Sequence, residues 1–237
     1  MTRPPRNIDL LTLPSAPWTD DVLALVTSAE SPPVANHSVR SYLFARLLAG
    51  HRGAVAGRDF DPLLLFAACV LHDIGLSERG NGTQRFEVDG ADVAAELLTA
   101  HGLPAADVDA VWLAIALHTS PGIAERRGPL CELTRSGVGM DFGRYPDAVT
   151  DEQATAIHDA YPRLAMVRSL VEVITEQGRA RPEKAPRYSI AGELLRERST
   201  PPHITTMEQA AAASRWASDR RQGVGSGRSP GVPAPVR

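Results

Sequence analysis

The sequence predicts an all-α protein. Apolar residues recur at intervals of three and four nearly throughout, no window holds the sustained alternation of a half-buried strand, and the breaks fall at Pro and Gly. Thr19 can cap a first helix carrying Val22, Leu23, Leu25 and Val26, with Pro32 and Pro33 closing it. A second helix spans residues 34–50 and turns His37, Ser41, Phe44, Ala45 and Leu48 to one side. Asp61-Pro62 opens a third, because a proline at the first helical position gives up an N–H that has no helical partner there. That helix carries the apolar run of residues 63–71 and ends in His72-Asp73-Ile74-Gly75. It is apolar on every side, as a buried central helix must be.

A loop rich in Gly, Asn and Arg follows over residues 77–85, then a fourth helix ending at His101 with Gly102 as its left-handed cap. Pro104 opens a fifth that ends near His118. Residues 120–146 are glycine-rich with little periodicity and predict a loop framework with short helical turns, a kind of segment that is more often functional than idle. Helical patterns return over residues 151–160, 162–177 and 189–198, and the Ala-rich stretch 207–217 reads as a packing helix at an edge or interface. The expected organisation is an N-terminal extension (1–18), a core (19–200), a C-terminal helical segment (201–221) and a Gly-, Pro- and Ser-rich disordered tail (222–237).

Composition narrows the function. The chain of 237 residues fits one domain with small appendages. Its longest apolar run has nine residues, against about 20 for a membrane helix. The N-terminal stretch lacks the apolar segment of a secretory signal, so the expected location is the cytoplasm, with no membrane partner. The two cysteines, Cys69 and Cys131, have no CxxC partner, which excludes a disulfide scaffold and a cysteine-based zinc site. With 25 basic and 28 acidic residues, a net charge of -3 and no long single-sign block, nucleic acid is not an expected partner. The only lysine, Lys184, sits in a polar stretch and argues against Schiff-base chemistry.

The residues with chemistry to offer are histidines and aspartates. Two adjacent ionisable groups, His72 and Asp73, at the end of an apolar helix are costly unless they pair or bind a cation; the plainer alternative is a solvent-facing helix-terminal pair. His37 lies mid-helix, where a lone histidine is ordinarily exposed or satisfied. Asp141 lies in GVGMDFG, where an Asx-turn is the alternative use of its carboxylate. If the second helix packs beside the third and the Asp141 loop covers them, two imidazoles and two carboxylates converge on a divalent-ion site with open positions.

The pattern His37…His72-Asp73…Asp141 resembles the metal-binding signature of the HD-domain superfamily of metal-dependent hydrolases, which are all-α proteins. The strings HSVRSYLFA, LLFAACVLHDIGL, RFEVDGADVAAELL, VWLAIALHTSPGIAE and GVGMDFG together look like its cyanamide hydratase-like branch, in the same order and at similar spacing over residues 36–147. The resemblance implies one divalent metal ion, zinc first with Fe, Mn, Ni or Co as alternatives, ligated by His37, His72, Asp73 and Asp141. Other branches place an extra histidine where Phe86 stands, so a second ion would lose a ligand, with His101 and His118 as the substitutes left. Asp73 then becomes the proton acceptor, and His118 turns from a helix-end residue into one that orients substrate or passes a proton. Arg85, Phe86, Glu87 and Thr119 are candidate substrate contacts, the alternative being a solvated charge cluster with Asp89 as a helix cap. Phe86, Ile115 and Ile123 are candidate apolar pocket walls.

The implied function is addition of metal-activated water to a small nitrile-like molecule, cyanamide to urea first. The alternatives are a phosphohydrolase gripping phosphate through Arg40, Arg79 and Arg85, and a non-catalytic regulatory module stabilised by metal. The expected partner is a small molecule, with homo-oligomerisation open.

Overall fold

Asp61 accepts hydrogen bonds from the amides of Leu63 and Leu64, and Pro62 takes the first helical position, so α3 (Pro62–Val70) starts where the sequence predicts. Every residue from Leu65 to Leu71 is fully buried. The structure, a computed structural model, describes residues 10–217. Around α3 stand α1 (Thr19–Ala29), α2 (Pro32–His51), α5 (Ala105–Leu117) and α6 (Pro129–Asp141). α4 (Phe86–Ala100) pairs with α5, and α7 (Asp151–Ala160) lies against α2. Then α8 (Met166–Ala180), α9 (Ile190–Ser199) and α10 (Thr206–Ala213) complete the helices of the described residues. Among the described residues there is no strand, only an isolated bridge between Ala56 and Phe60, and the all-α class holds. No helix among them is long and apolar enough to cross a membrane.

Several expected boundaries move. Pro32 and Pro33 begin α2 rather than closing α1, which stops at Ala29; both rings sit in the first turn, where the missing N–H groups cost nothing. Thr19 is the first residue of α1, not its cap, and its hydroxyl bonds the backbone of Ala16 instead. α3 stops at Val70, so His72 and Asp73 stand on the turn beyond it, ahead of a 3₁₀ turn at Ile74–Leu76. As expected, Gly102 follows α4 with a φ of 76°.

The largest correction concerns residues 120–146, expected as a loop framework. They contain α6, which packs along α2. The glycines that look like helix breakers serve close approach: a Cβ on Gly137 would run into the Ser41 carbonyl oxygen and lie 2.7 Å from the Ala45 Cβ. Asp141 is therefore the last residue of a helix, not part of a covering loop, and its Asx-turn alternative falls with it.

The apolar interior divides into two clusters. The main core gathers α1 to α7 around α3. A second joins Leu170 and Ile174 of α8 and Leu194 of α9 to Leu76 and Phe86, with Phe142, Ile190 and Met207 packed against it. α10 has no buried residue, and beyond it Trp216 docks by donating its indole N–H to the Met140 carbonyl at 2.9 Å. The expected disordered tail, residues 222–237, lies outside the described residues.

Lys184 is not in a solvated stretch as its neighbours imply. It is only 2% exposed, and its ammonium pairs with Asp89. Asp89 is thereby inside α4 rather than capping it, and it also accepts from the Gln84 amide at 3.1 Å, which fastens the loop over residues 77–85 to the helix.

Candidate metal centre

Three buried imidazoles converge on Asp73. His72 donates Nδ1–H to the Cys69 carbonyl at 2.7 Å, which fixes the tautomer and leaves Nε2 with a lone pair, 3.1 Å from Asp73 Oδ2. His37, from the middle of α2, donates Nδ1–H to Asp141 Oδ2 at 2.6 Å and brings Nε2 to 3.8 Å from the same Asp73 oxygen. His118 follows α5, donates Nδ1–H to the Ile115 carbonyl at 2.7 Å, and holds Nε2 3.8 Å from Asp73 Oδ1. In each ring the backbone or a carboxylate takes the proton on Nδ1, so Nε2 is the atom presented to the site.

The donor set fits a divalent ion. Ligand atoms of His37, His72 and Asp73 lie within 4.8 Å of one another, and all three residues are buried. The buried Nε2 of His72 has no aligned hydrogen-bond partner, only Asp73 Oδ2 at 3.1 Å, and an ion would take both atoms as donors. Two imidazoles and one carboxylate leave coordination positions for water and substrate, as in catalytic rather than structural sites.

Asp141 stands elsewhere than the resemblance implies. α6 carries it behind the His37 ring, outside that donor group, where its carboxylate is enclosed by cations. Arg40, one turn along α2 from His37 and fully buried, donates Nε–H to both oxygens at 3.0 and 3.1 Å and Nη2–H to Oδ2 at 2.6 Å. Arg163 donates to the other oxygen. Its lone pairs are thus shared among Arg40, Arg163 and the Nδ1–H of His37, on the side of that ring away from Nε2.

Burial drives the electrostatics and neighbouring charges decide the sign. Burial raises the carboxyl of Asp73, but His72 first, then His37 and His118, hold it well below the usual carboxylate range. Asp141 is pulled far down in the same way, chiefly by Arg40 and Arg163 against its burial. Burial and the nearby His72 lower His118 to about 4, so it is a neutral imidazole at neutral pH. Glu30, between α1 and α2, goes the other way: burial and the charge of Asp73 raise it well above the usual range, against a hydrogen bond from Ser38.

The predicted substrate contacts separate into two groups. Phe86 and Thr119 face the cavity above the donors, with the Phe86 ring centroid 5.7 Å from that of His118. Arg85 and Glu87 stand behind them: Arg85 Nη2 donates to Glu87 Oε1 at 2.6 Å, and the Thr119 hydroxyl donates to the same oxygen at 2.5 Å. Ile115 is sealed in the main core and Ile123 is 56% exposed, so neither is a pocket wall. His101 stands at the surface beside Asp21, 3.2 Å from its carboxylate, and neither joins the donor group nor lines the cavity. Arg163, Glu30 and the cavity-lining residues of α8–α10 carry no sequence motif. Only the amphipathic pattern of those helices announced an apolar face in need of cover.

Comparison with known proteins agrees with this architecture. The HD domain family model matches residues 34–160. The chain belongs to the HD-domain family. It is also 27% identical over 158 residues, 63% of this chain and 68% of the relative, to the cyanamide hydratase DDI2 of Saccharomyces cerevisiae. The match to the cyanamide hydratase DDI3 of the same yeast has the same extent and identity. The resemblance read from the motifs thus holds, and this HD-domain protein is a metal-dependent hydrolase by family.

Proposed function

We propose that this HD-domain protein is a hydratase that adds water across the C≡N group of a small nitrile-like molecule, cyanamide to urea being the first candidate. The observation that carries the reading is the group His37, His72 and Asp73 at the floor of a cavity, with neutral His118 on the opposite side of the Asp73 carboxylate. Likeness to the two yeast cyanamide hydratases supports the substrate.

His37 Nε2, His72 Nε2 and an Asp73 oxygen would hold one divalent ion, zinc first, with Fe, Mn, Ni and Co meeting the same donor chemistry. When bound, such an ion would supply Lewis acidity and a water whose pKa is lowered from 15.7 to about 7. Asp73 would take up the proton that such a water gives up. His118 Nε2, 3.8 Å from Asp73 Oδ1, is placed to relay a proton to the nitrile nitrogen. The water oxygen bonds to the carbon, both water protons end on the former nitrile nitrogen, and no covalent bond to the protein forms. Phe86 gives the reacting carbon an apolar neighbour, and Thr119 is fixed by Glu87 at the edge of the same space.

None of the three arginines expected to grip a phosphate lines the cavity. Arg40 is buried on Asp141, Arg85 is bound to Glu87, and Arg79 is absent from the cavity lining. The test is urea formation from cyanamide by the zinc-loaded protein, with Asp73→Ala as control and circular dichroism to confirm folding. Turnover that disappears in the folded variant supports the reading. A folded, zinc-loaded wild type that makes no urea overturns the cyanamide assignment, and metal removal that only melts the protein favours the regulatory module.

A further inference from the structure

The cavity is much larger than a nitrile head requires. Its volume is about 470 Å³, within the roughly 300–1,000 Å³ of pockets that take drug-sized ligands. Cyanamide occupies about the room of three waters, on the order of 90 Å³. His37, His72, Asp73 and His118 line it. So do Leu170 and Ile174 of α8, Ile190 and Leu194 of α9, and Met207 of α10. These side chains belong to the second apolar cluster, and all lie beyond residue 160, where the HD-domain match stops. A space with such walls offers water few hydrogen-bond partners and favours an apolar occupant.

Polar groups along the wall are already engaged. Glu193 accepts from Arg196, Glu197 from Thr206, and Arg135 is bound to Glu125. Arg144 lies over the Tyr145 ring, 5.4 Å from its centroid. The wall therefore presents hydrocarbon to whatever is attached to the reacting head.

Resting on the hydratase reading above, we infer that the substrate is a cyanamide- or nitrile-type electrophile bearing an apolar alkyl or aryl substituent, which lies between α8, α9 and α10. For an N-substituted cyanamide, R–NH–C≡N plus water gives R–NH–CO–NH₂: the C–O bond forms, the two π bonds of the nitrile open, and both water protons go to the terminal nitrogen. HD-domain chemistry then resides in residues 34–160, and substrate choice in the helices that follow.

The test compares kcat/KM of the zinc-loaded full chain for cyanamide and its N-methyl, N-butyl and N-phenyl derivatives. Each buried methylene is worth about fourfold, so butyl should exceed methyl by at least about tenfold. Calorimetry with butylurea and phenylurea supplies a readout independent of turnover. Ile190→Trp, which fills space along the apolar wall, should flatten both series, and Met207→Trp on a separate helix replaces it if that variant does not fold. Cyanamide turnover with a flat or falling series overturns the inference and leaves the hydratase reading standing. Absence of turnover, together with urea binding that strengthens with chain length and is lost in Ile190→Trp, overturns the hydratase reading and keeps the apolar arm as a ligand site. Failure of both measurements overturns both.

Discussion

His37 Nδ1 lies 2.6 Å from Asp141 Oδ2, and the same carboxylate is clasped by Arg40 and Arg163. One contact thus couples a candidate metal donor on α2 to the end of α6 and to the chain entering α8. It accounts for a carboxylate in an apolar, glycine-rich setting without a place among the donors.

Asp141→Asn should weaken zinc binding by about 10–100-fold, the usual effect of removing the partner of a ligand histidine. Competition against a chromophoric chelator measures it. A much larger loss would make Asp141 a direct donor. The same variant should lower stability by about 3–5 kcal/mol, because Arg40 is left buried with its charge uncompensated.

In the metal-free protein the His118 contribution should weaken the fold as pH falls from about 6.5 toward 4, against the opposite contribution of the raised Glu30 carboxyl. His118 is lowered to about 4 by burial and by His72, while the unfolded chain takes up its proton near 6.5. The unfolded state therefore binds more protons in that window, and the native state loses on the order of 3 kcal/mol across it. Asp73 and Asp141, whose carboxyls are held low, lose their contributions only below about 4, where the unfolded carboxylates protonate. Urea titrations of wild type and His118→Gln should differ in slope between pH 6.5 and 4, and an identical pH dependence would refute the assignment.

Lys184→Met should cost about 3–5 kcal/mol, since it strands the Asp89 carboxylate in a buried position. For a chain of this size that is a fall of roughly 6–20 °C in Tm. Pairing it with Asp89→Leu should restore a good part of the loss. Calorimetric melts of the two single variants and the double variant give the coupling directly.

Gly137→Ala should destabilise by about 1–3 kcal/mol even though alanine is the better helix former by about 1 kcal/mol. The added Cβ has nowhere to go between the Ser41 carbonyl and Ala45. A stabilised Gly137→Ala protein would mean that α2 and α6 are not in contact there.

Much of the fold was legible because its signals are local. Asp61-Pro62, the nine-residue apolar run and the His72-Asp73 pair lie within a dozen residues of one another and determine α3 and the turn that carries two donors. α6 was not legible, because glycine in a helix reads as a break unless the facing helix is known. Asp141 was identified as important, but its job depends on Arg40 and Arg163, the second of which is 22 residues away. Lys184 was misread for the same reason: its partner, Asp89, is 95 residues away. The C-terminal helices were readable as helices, yet nothing in them says that they wall a cavity beside residues on α2 and α4.

The Lys184–Asp89 pair has a consequence for chemical labelling. Because the chain contains a single lysine and that lysine is sealed against α4, the folded protein offers amine-directed reagents no accessible side chain. Acylation of Lys184 would follow the rate at which its surroundings open, so one mass shift would clock the breathing of the loop that precedes Phe86.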